Sequence, residues 1–236
     1  MTKNFITFGA GGQSFTEAMT RLINQSKSLN FFDFIYGYTE TDLKNEHLFW
    51  EQHHNFIENN KRGYGYFIWK SYIIKKMMEK LNNNDILLVL DCGCEIDIKK
   101  REKIAEYFEL VKEDIIIGTN TVCSDTDKKW TKMDLILELD MLDDNYLNTP
   151  QHQAGAILFL VCDKTRDLVN KWYELSCNYH NIDDTPSIKP NDNCFIEHRH
   201  DQSIFSLLTK KYNLYSNHSL FECIDYIRNR TGISKL

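Results

Sequence analysis

The chain has 236 residues, 42% of them apolar and 26% charged, which suits one α/β domain with a substantial core. A formal charge of −6 argues against nonspecific binding to a nucleic-acid backbone. No apolar run of the length needed to span a bilayer occurs, and no charged start leading into an apolar segment announces a cleavable leader.

Only 3 prolines and 10 glycines leave little room for a flexible linker, so residues 1–236 are expected to form a single domain. Aromatic residues reach 13%, enough for stacking surfaces as well as a core. The 7 cysteines are odd in number and sit mostly inside apolar runs, which reads as reduced thiols in a cytoplasmic setting.

Residues 5–8 (FITF) form a short apolar strand, and GAGGQS follows. Ser14 stands three residues before Glu17, the spacing of a capping box, so a helix is expected with Phe15, Met19, Leu22 and Ile23 on its buried side. Residues 31–36 (FFDFIY) read as a second strand, and 39–60 as helical in part. From Phe67 onward Trp69, Ile73, Met77 and Leu81 recur at helical spacing, with Lys75, Lys76 and Glu79 opposite. Residues 86–90 (ILLVL) are too apolar for an edge and read as a central strand covered on both faces.

Helical patterns follow at 98–111 and 130–142, with a strand at 115–118 between them. Residues 154–162 (AGAILFLVC) are the second strong candidate for a buried strand. A helix is expected at 167–178, then a long polar loop, and a last helix in DQSIFSLLTKKY. This alternation predicts a mostly parallel central sheet flanked by helices. Ligands of such sheets bind beyond the carboxyl ends of the strands, where Asp91 and the loop after Phe8 fall.

Several motifs at those ends bear chemistry. GAGGQS lacks both the GxGxxG spacing and the Walker ending, leaving it a nucleotide-approach loop or a plain turn. Asp91 at the end of a central strand suits a hard cation bridging phosphates, with Glu95 and Asp97 near in sequence, or else caps a helix. Cys92 and Cys94 could join His198 and His200 in a zinc set, or act as a redox pair. Asp125 and Asp127 (DTD) are a rival metal motif. In HRHDQS, Asp201 either caps the helix that follows or acts as a general base in a cleft.

GYGYFIWKSYII, LLVLDCGCEI, QHQAGAILF and HRHDQSIFSLL together resemble a family of small GT-A-fold glycosyltransferases found in bacterial polysaccharide loci and large DNA viruses. The resemblance covers most of residues 1–215. It implies an enzyme of polysaccharide biosynthesis moving a hexose or deoxyhexose from a nucleotide-diphosphate sugar, such as a UDP-sugar, to a glycan hydroxyl. Manganese or magnesium would assist, and inversion is the favoured stereochemistry. It implies Asp91 as the first aspartate of a DxD motif whose second position is Gly93; either Glu95 or a water would complete the metal shell, with His218 as a late ligand, or metal dependence would be weakened. Thr7, Phe8 and Ala10 would line base and ribose, and Arg62 and Lys70 would face the diphosphate. Gln153, Ala154 and Gly155 would border the sugar, Asp134 would accept from sugar hydroxyls, and Asp201 would be the base.

The acceptor would be a glycan or lipid-linked glycan. The enzyme would then work in the cytoplasm of a bacterium or virus-infected cell, with peripheral membrane contact through the lipid. The missing second aspartate keeps open a nonenzymatic nucleotide-sugar or glycan-binding module.

Overall fold

The two most apolar runs pair directly with each other to make the middle of a six-stranded sheet. The computed structural model describes residues 1–236, apart from the Asn217 side chain. Strand β1 (Lys3–Gly9) lies parallel to both β2 (Phe34–Thr39) and β3 (Ile86–Asp91), with Phe8 opposite Asp91. The order is β2-β1-β3-β6-β5-β7, where β5 is Ile116–Asn120, β6 His152–Leu160 and β7 Tyr215–Ser219. Five strands run one way, and β6 alone opposes its neighbours β3 and β5. A two-residue strand, β4 (Glu95–Ile96), pairs with β8 (Ile224–Asp225).

Because a strand alternates sides, β1 sends Ile6 and Phe8 to one face and Phe5 to the other, and both faces are buried. On the first face lie helices α4 (Ile68–Met78), α6 (Asp163–Cys177) and α7 (Asp201–Lys211), with Trp172 and Phe205 wholly buried among them. On the second lie α1 (Gln13–Ser28) and α5 (Arg101–Asp114), which contribute Leu22, Tyr107 and Phe108. Short α2 (Glu40–Asn45) and α3 (His47–Asn59) cover the region between β2 and α4. Thr39 opens α2 with a reciprocal capping box to Asp42.

Some boundaries differ from the sequence expectation. Helix α1 starts at Gln13 behind Gly12 and has no side-chain cap, so Ser14 and Glu17 form no capping box. The second strand begins at Phe34, because Phe31 and Phe32 turn under the sheet to pack edge-on against Phe108 at 4.8 and 5.7 Å. The expected helix at 130–142 splits into turns at Asp127–Trp130 and Met133–Glu138. Between them Thr131 is extended and the buried Lys132 reaches across to Asp183 at 2.9 Å. No helix is long and apolar enough to cross a membrane.

Candidate active site

Residues far apart in sequence meet at the carboxyl ends of β1 and β3. The reversed direction of β6 brings its beginning there too, since Leu90 pairs with Ala156 and the next step sets Asp91 beside Gly155. A cavity of about 320 Å³ opens at this point, within the usual size range of ligand pockets. Six cationic side chains and only two carboxylates line it.

One wall is the turn between α3 and α4. Five successive residues, Gly63 to Phe67, have positive φ between 51° and 82°. This is a left-handed turn, which costs L-residues energy; glycine relieves it at 63 and 65 but not at Tyr64, Tyr66 and Phe67. The turn is held by Tyr66 N–H donating to the Arg62 carbonyl and by the Trp69 indole N–H donating to the Gly63 carbonyl at 2.9 Å. Trp69 in turn stacks on Phe8 at 4.0 Å. So the RGYGYFIW segment presents Arg62, Tyr64 and Phe67 to the cavity, while Trp69 is mostly core.

The floor is an ionic cluster. Lys70, in the first turn of α4, is 3% exposed and puts its ammonium 3.0 Å from Asp91 Oδ1 and 3.5 Å from Asp201 Oδ2. It also donates to the Ala154 carbonyl at 3.1 Å. Burial alone would lower the lysine's pKa, but Asp201 and Asp91 more than offset that and raise it. Burial pushes the Asp201 carboxyl up, Lys70 pulls it back and Asp91 raises it again, leaving it at about 7. Asp201 Oδ2 accepts no hydrogen bond of good geometry. The cap of α7 is His200, so Asp201 is the first helical residue and its side chain serves the cleft rather than the helix end.

The far wall is a strap, residues 226–236, that returns across α1. Tyr226 packs over Gly155, and Arg228 and Arg230 line the cavity. Glu95 anchors the strap. Its wholly buried side chain meets Arg21 at 2.8 Å and accepts from the Asn229 amide at 2.6 Å, Ser234 at 2.5 Å and the Lys235 N–H at 3.0 Å. Burial would raise this carboxyl, yet the bonds from Ser234, Asn229 and Lys235 lower it to about 2. Arg21 also donates to the carbonyls of Cys92, Cys94 and Asn229. The CGCE turn is therefore a hub for the strap.

Phe8, Ala10, Arg62, Lys70, Asp91, Gly155 and Asp201 thus border one cavity. Other expected site residues do not reach it. Thr7 is buried on the opposite side of β1. Gln153 accepts from Thr119 and donates to the Asn120 carbonyl. Asp134 accepts from His180 at 2.7 Å and from the N–H groups of Ile188 and Lys189, so its oxygens staple the 183–199 loop.

The metal set expected at Asp91, Glu95 and His218 does not assemble. Glu95 is spent on Arg21 and the strap, and His218 lies beside Asp114 at 3.6 Å on β7. That strand is three positions from β3, roughly 14 Å at about 4.8 Å per strand. A divalent cation of the magnesium or manganese kind wants about six oxygens, and here Lys70 already occupies the place between the two carboxylates. The residues present do not fit such an ion. Among the described residues no group of three or more His, Cys, Asp and Glu converges. His198 is engaged by the Lys132 N–H and the Asn181 carbonyl, and Cys94 faces the Gly155 carbonyl, which sets aside the zinc and redox alternatives. Asp127 of the DTD motif is buried under Gln151, Ser206 and Lys210.

Tyr64, Phe67, Tyr226, Arg228 and Arg230 were not anticipated at the site. One signal existed: IRNR sets two cations a single residue apart.

Sheet order, the single reversed strand and helices on both faces define the GT-A-type glycosyltransferase fold. The chain is similar to mouse xyloside xylosyltransferase 1, with 11% identity over 93% of this chain and 86% of that one and a TM-score of 0.50. It is also similar to a glycosyltransferase involved in glycosylating the major capsid of PBCV-1 (14% identity, 84% and 82% covered, TM-score 0.45). The galactosyltransferase LgtC, solved with donor and acceptor sugar analogs, aligns at 12% identity over 98% and 84%, with TM-score 0.48. What the xylosyltransferase shares with this chain at 11% identity is the fold. No family model matches the chain, and no curated protein matches it in sequence.

Proposed function

We propose that the chain is a glycosyltransferase. It would move a hexose or deoxyhexose from a nucleoside-diphosphate sugar, UDP-linked donors being the first to try, onto a hydroxyl of a glycan or lipid-linked glycan. The observation that carries this reading is the Asp91–Lys70–Asp201 cluster at the floor of a cation-walled cavity, at the strand ends of a GT-A-type sheet. Phe8 and Ala10 border the base and ribose, and Gly155, with Tyr226 packed over it, borders the sugar. Lys70 and Arg62 face the diphosphate, although Arg62 is paired with Asp184 and Glu197 before any ligand arrives.

In the reaction, the bond from C1 to the diphosphate oxygen breaks and its electron pair leaves with the nucleoside diphosphate. A bond from the acceptor oxygen to C1 forms, and the acceptor's proton passes to Asp201. A carboxyl held at about 7 is well matched to that exchange near neutral pH. A base on the acceptor side implies inversion at C1. Soluble work in the cytoplasm, with membrane contact only through a lipid-linked acceptor, follows from this reading as an expectation.

The glycine at position 93 favours a second reading, a binding module without turnover. A donor screen separates the two. Nucleotide sugars are incubated with the protein, with and without manganese, and release of nucleoside diphosphate is followed. Turnover of one donor, lost in Asp91→Ala, supports the transferase. Donor binding with no release, even with glycan acceptors present, supports the binding module.

A further inference from the structure

The place where a second aspartate of a DxD motif would stand is filled by the strap. A Cβ at Gly93 would lie 3.2 Å from Arg228 Cα and 3.5 Å from its carbonyl carbon. The Gly93 carbonyl meanwhile accepts the Asn229 N–H at 2.8 Å. A side chain at 93 would need the strap backbone to give by a few tenths of an ångström, and the residue brought to that point is an arginine. We propose that Arg228 and Arg230 neutralise the donor diphosphate in place of an acid-bound divalent cation, so that nucleotide binding needs no metal. This rests on the nucleotide-sugar reading above.

Three observations carry it. First, the strap is built rather than frayed: Asn229 is fully buried, with its side chain on Glu95 and its carbonyl on Arg21. Arg228 is held beside it at φ 50°, a conformation that only such anchoring would impose on a non-glycine residue. Second, the cations are not already spent. Lys70 is committed to Asp91 and Asp201, whereas neither Arg228 nor Arg230 is ion-paired among the described residues. The Arg230 guanidinium lies 5.0 Å over the Phe15 ring, a contact that leaves its N–H groups available. Third, the chemistry matches. A guanidinium offers a planar fork of donors that suits phosphate oxygens, and two of them balance the charge a divalent ion would supply.

The test is calorimetric titration of the full chain with UDP, GDP, ADP and CDP, in EDTA and in excess manganese. Whichever diphosphate binds should bind about equally in both conditions. Arg228→Ala and Arg230→Ala should each weaken it about tenfold or more in EDTA, as loss of a charge-assisted hydrogen bond does, without lowering Tm. Gly93→Asp should weaken binding as well, where a metal-based site would gain from the added carboxylate. Binding that appears only with manganese overturns the inference while leaving the transferase reading in place. Unchanged binding in both arginine variants overturns it whatever the metal does. If none of the four diphosphates binds in either condition, the inference and the reading fall together.

Discussion

Replacing Lys70 with methionine tests the ionic floor of the cavity directly. Methionine fills much of the same volume, so the change is chiefly the loss of one buried ammonium. Asp91 keeps a side chain 24% exposed and can turn to water, but Asp201 is 4% exposed and loses its only cation. Breaking a buried pair by removing one partner costs about 3–5 kcal/mol, because the other charge is stranded. That cost requires Asp201 to be charged. Its folded pKa of about 7 lies above the unfolded value of roughly 3.9, so in the wild type Asp201 withdraws stability as pH climbs between those values. Without Lys70 the folded value rises further and the decline extends to higher pH.

Urea denaturation should therefore show Lys70→Met costing about 3–5 kcal/mol at pH 8. At pH 5, where Asp201 is already protonated, only the partly solvated Asp91 contact is lost, and the cost should fall to about 1 kcal/mol. Adding Asp201→Asn to the variant should restore most of the loss at pH 8. Equal costs at the two pH values, or no recovery in the double variant, would refute the account of the floor.

Three further outcomes can be checked. If Asp201 is the base, kcat/KM on the best donor should rise with pH through about 7, and Asp201→Asn should lower kcat by about a hundredfold or more; a flat profile speaks against that role. Gly155→Ala places a methyl 2.3 Å from the Tyr226 ring, so denaturation should show a loss of about 1–3 kcal/mol. His218→Ala, on the edge strand beside Asp114, should leave donor turnover and its manganese response within about twofold, the range of ordinary surface changes; a collapse of either would return His218 to the site.

The sheet was readable because its central strands are continuous apolar runs bounded by polar turns. Asp91 and Asp201 were readable because one ends such a strand and the other opens a patterned helix, whereas Lys70 came only from the family resemblance. The reversal of β6 was not readable, since a strand buried on both faces has the same pattern whichever way it runs. Glu95 looked like a ligand from its spacing to Asp91, yet its partners Asn229 and Ser234 lie 134 and 139 residues away. The strap escaped notice for the same reason. DYIRNRTGISKL has no apolar periodicity, and its placement depends on one buried asparagine and on the absence of a side chain at Gly93. The left-handed turn was half visible: two glycines in GYGY suggest positive φ at 63 and 65, but nothing marks the tyrosines and phenylalanine between and after them as sharing it.

The cavity takes its lining from six separated stretches, around Phe8, Arg62, Asp91, Gly155, Asp201 and Arg228. A molecule that touched all six would be held by segments spread along almost the whole polypeptide. Occupancy would then be tied to global unfolding rather than to local opening. At a ligand concentration a hundred times Kd, the stabilisation of about 2.7 kcal/mol should appear as slower hydrogen exchange at the amides of β1, β3 and β6 alike, including those remote from the ligand. Protection confined to the residues in contact would mean that the strap or the left-handed turn opens on its own, and would identify which wall of the cavity is the door.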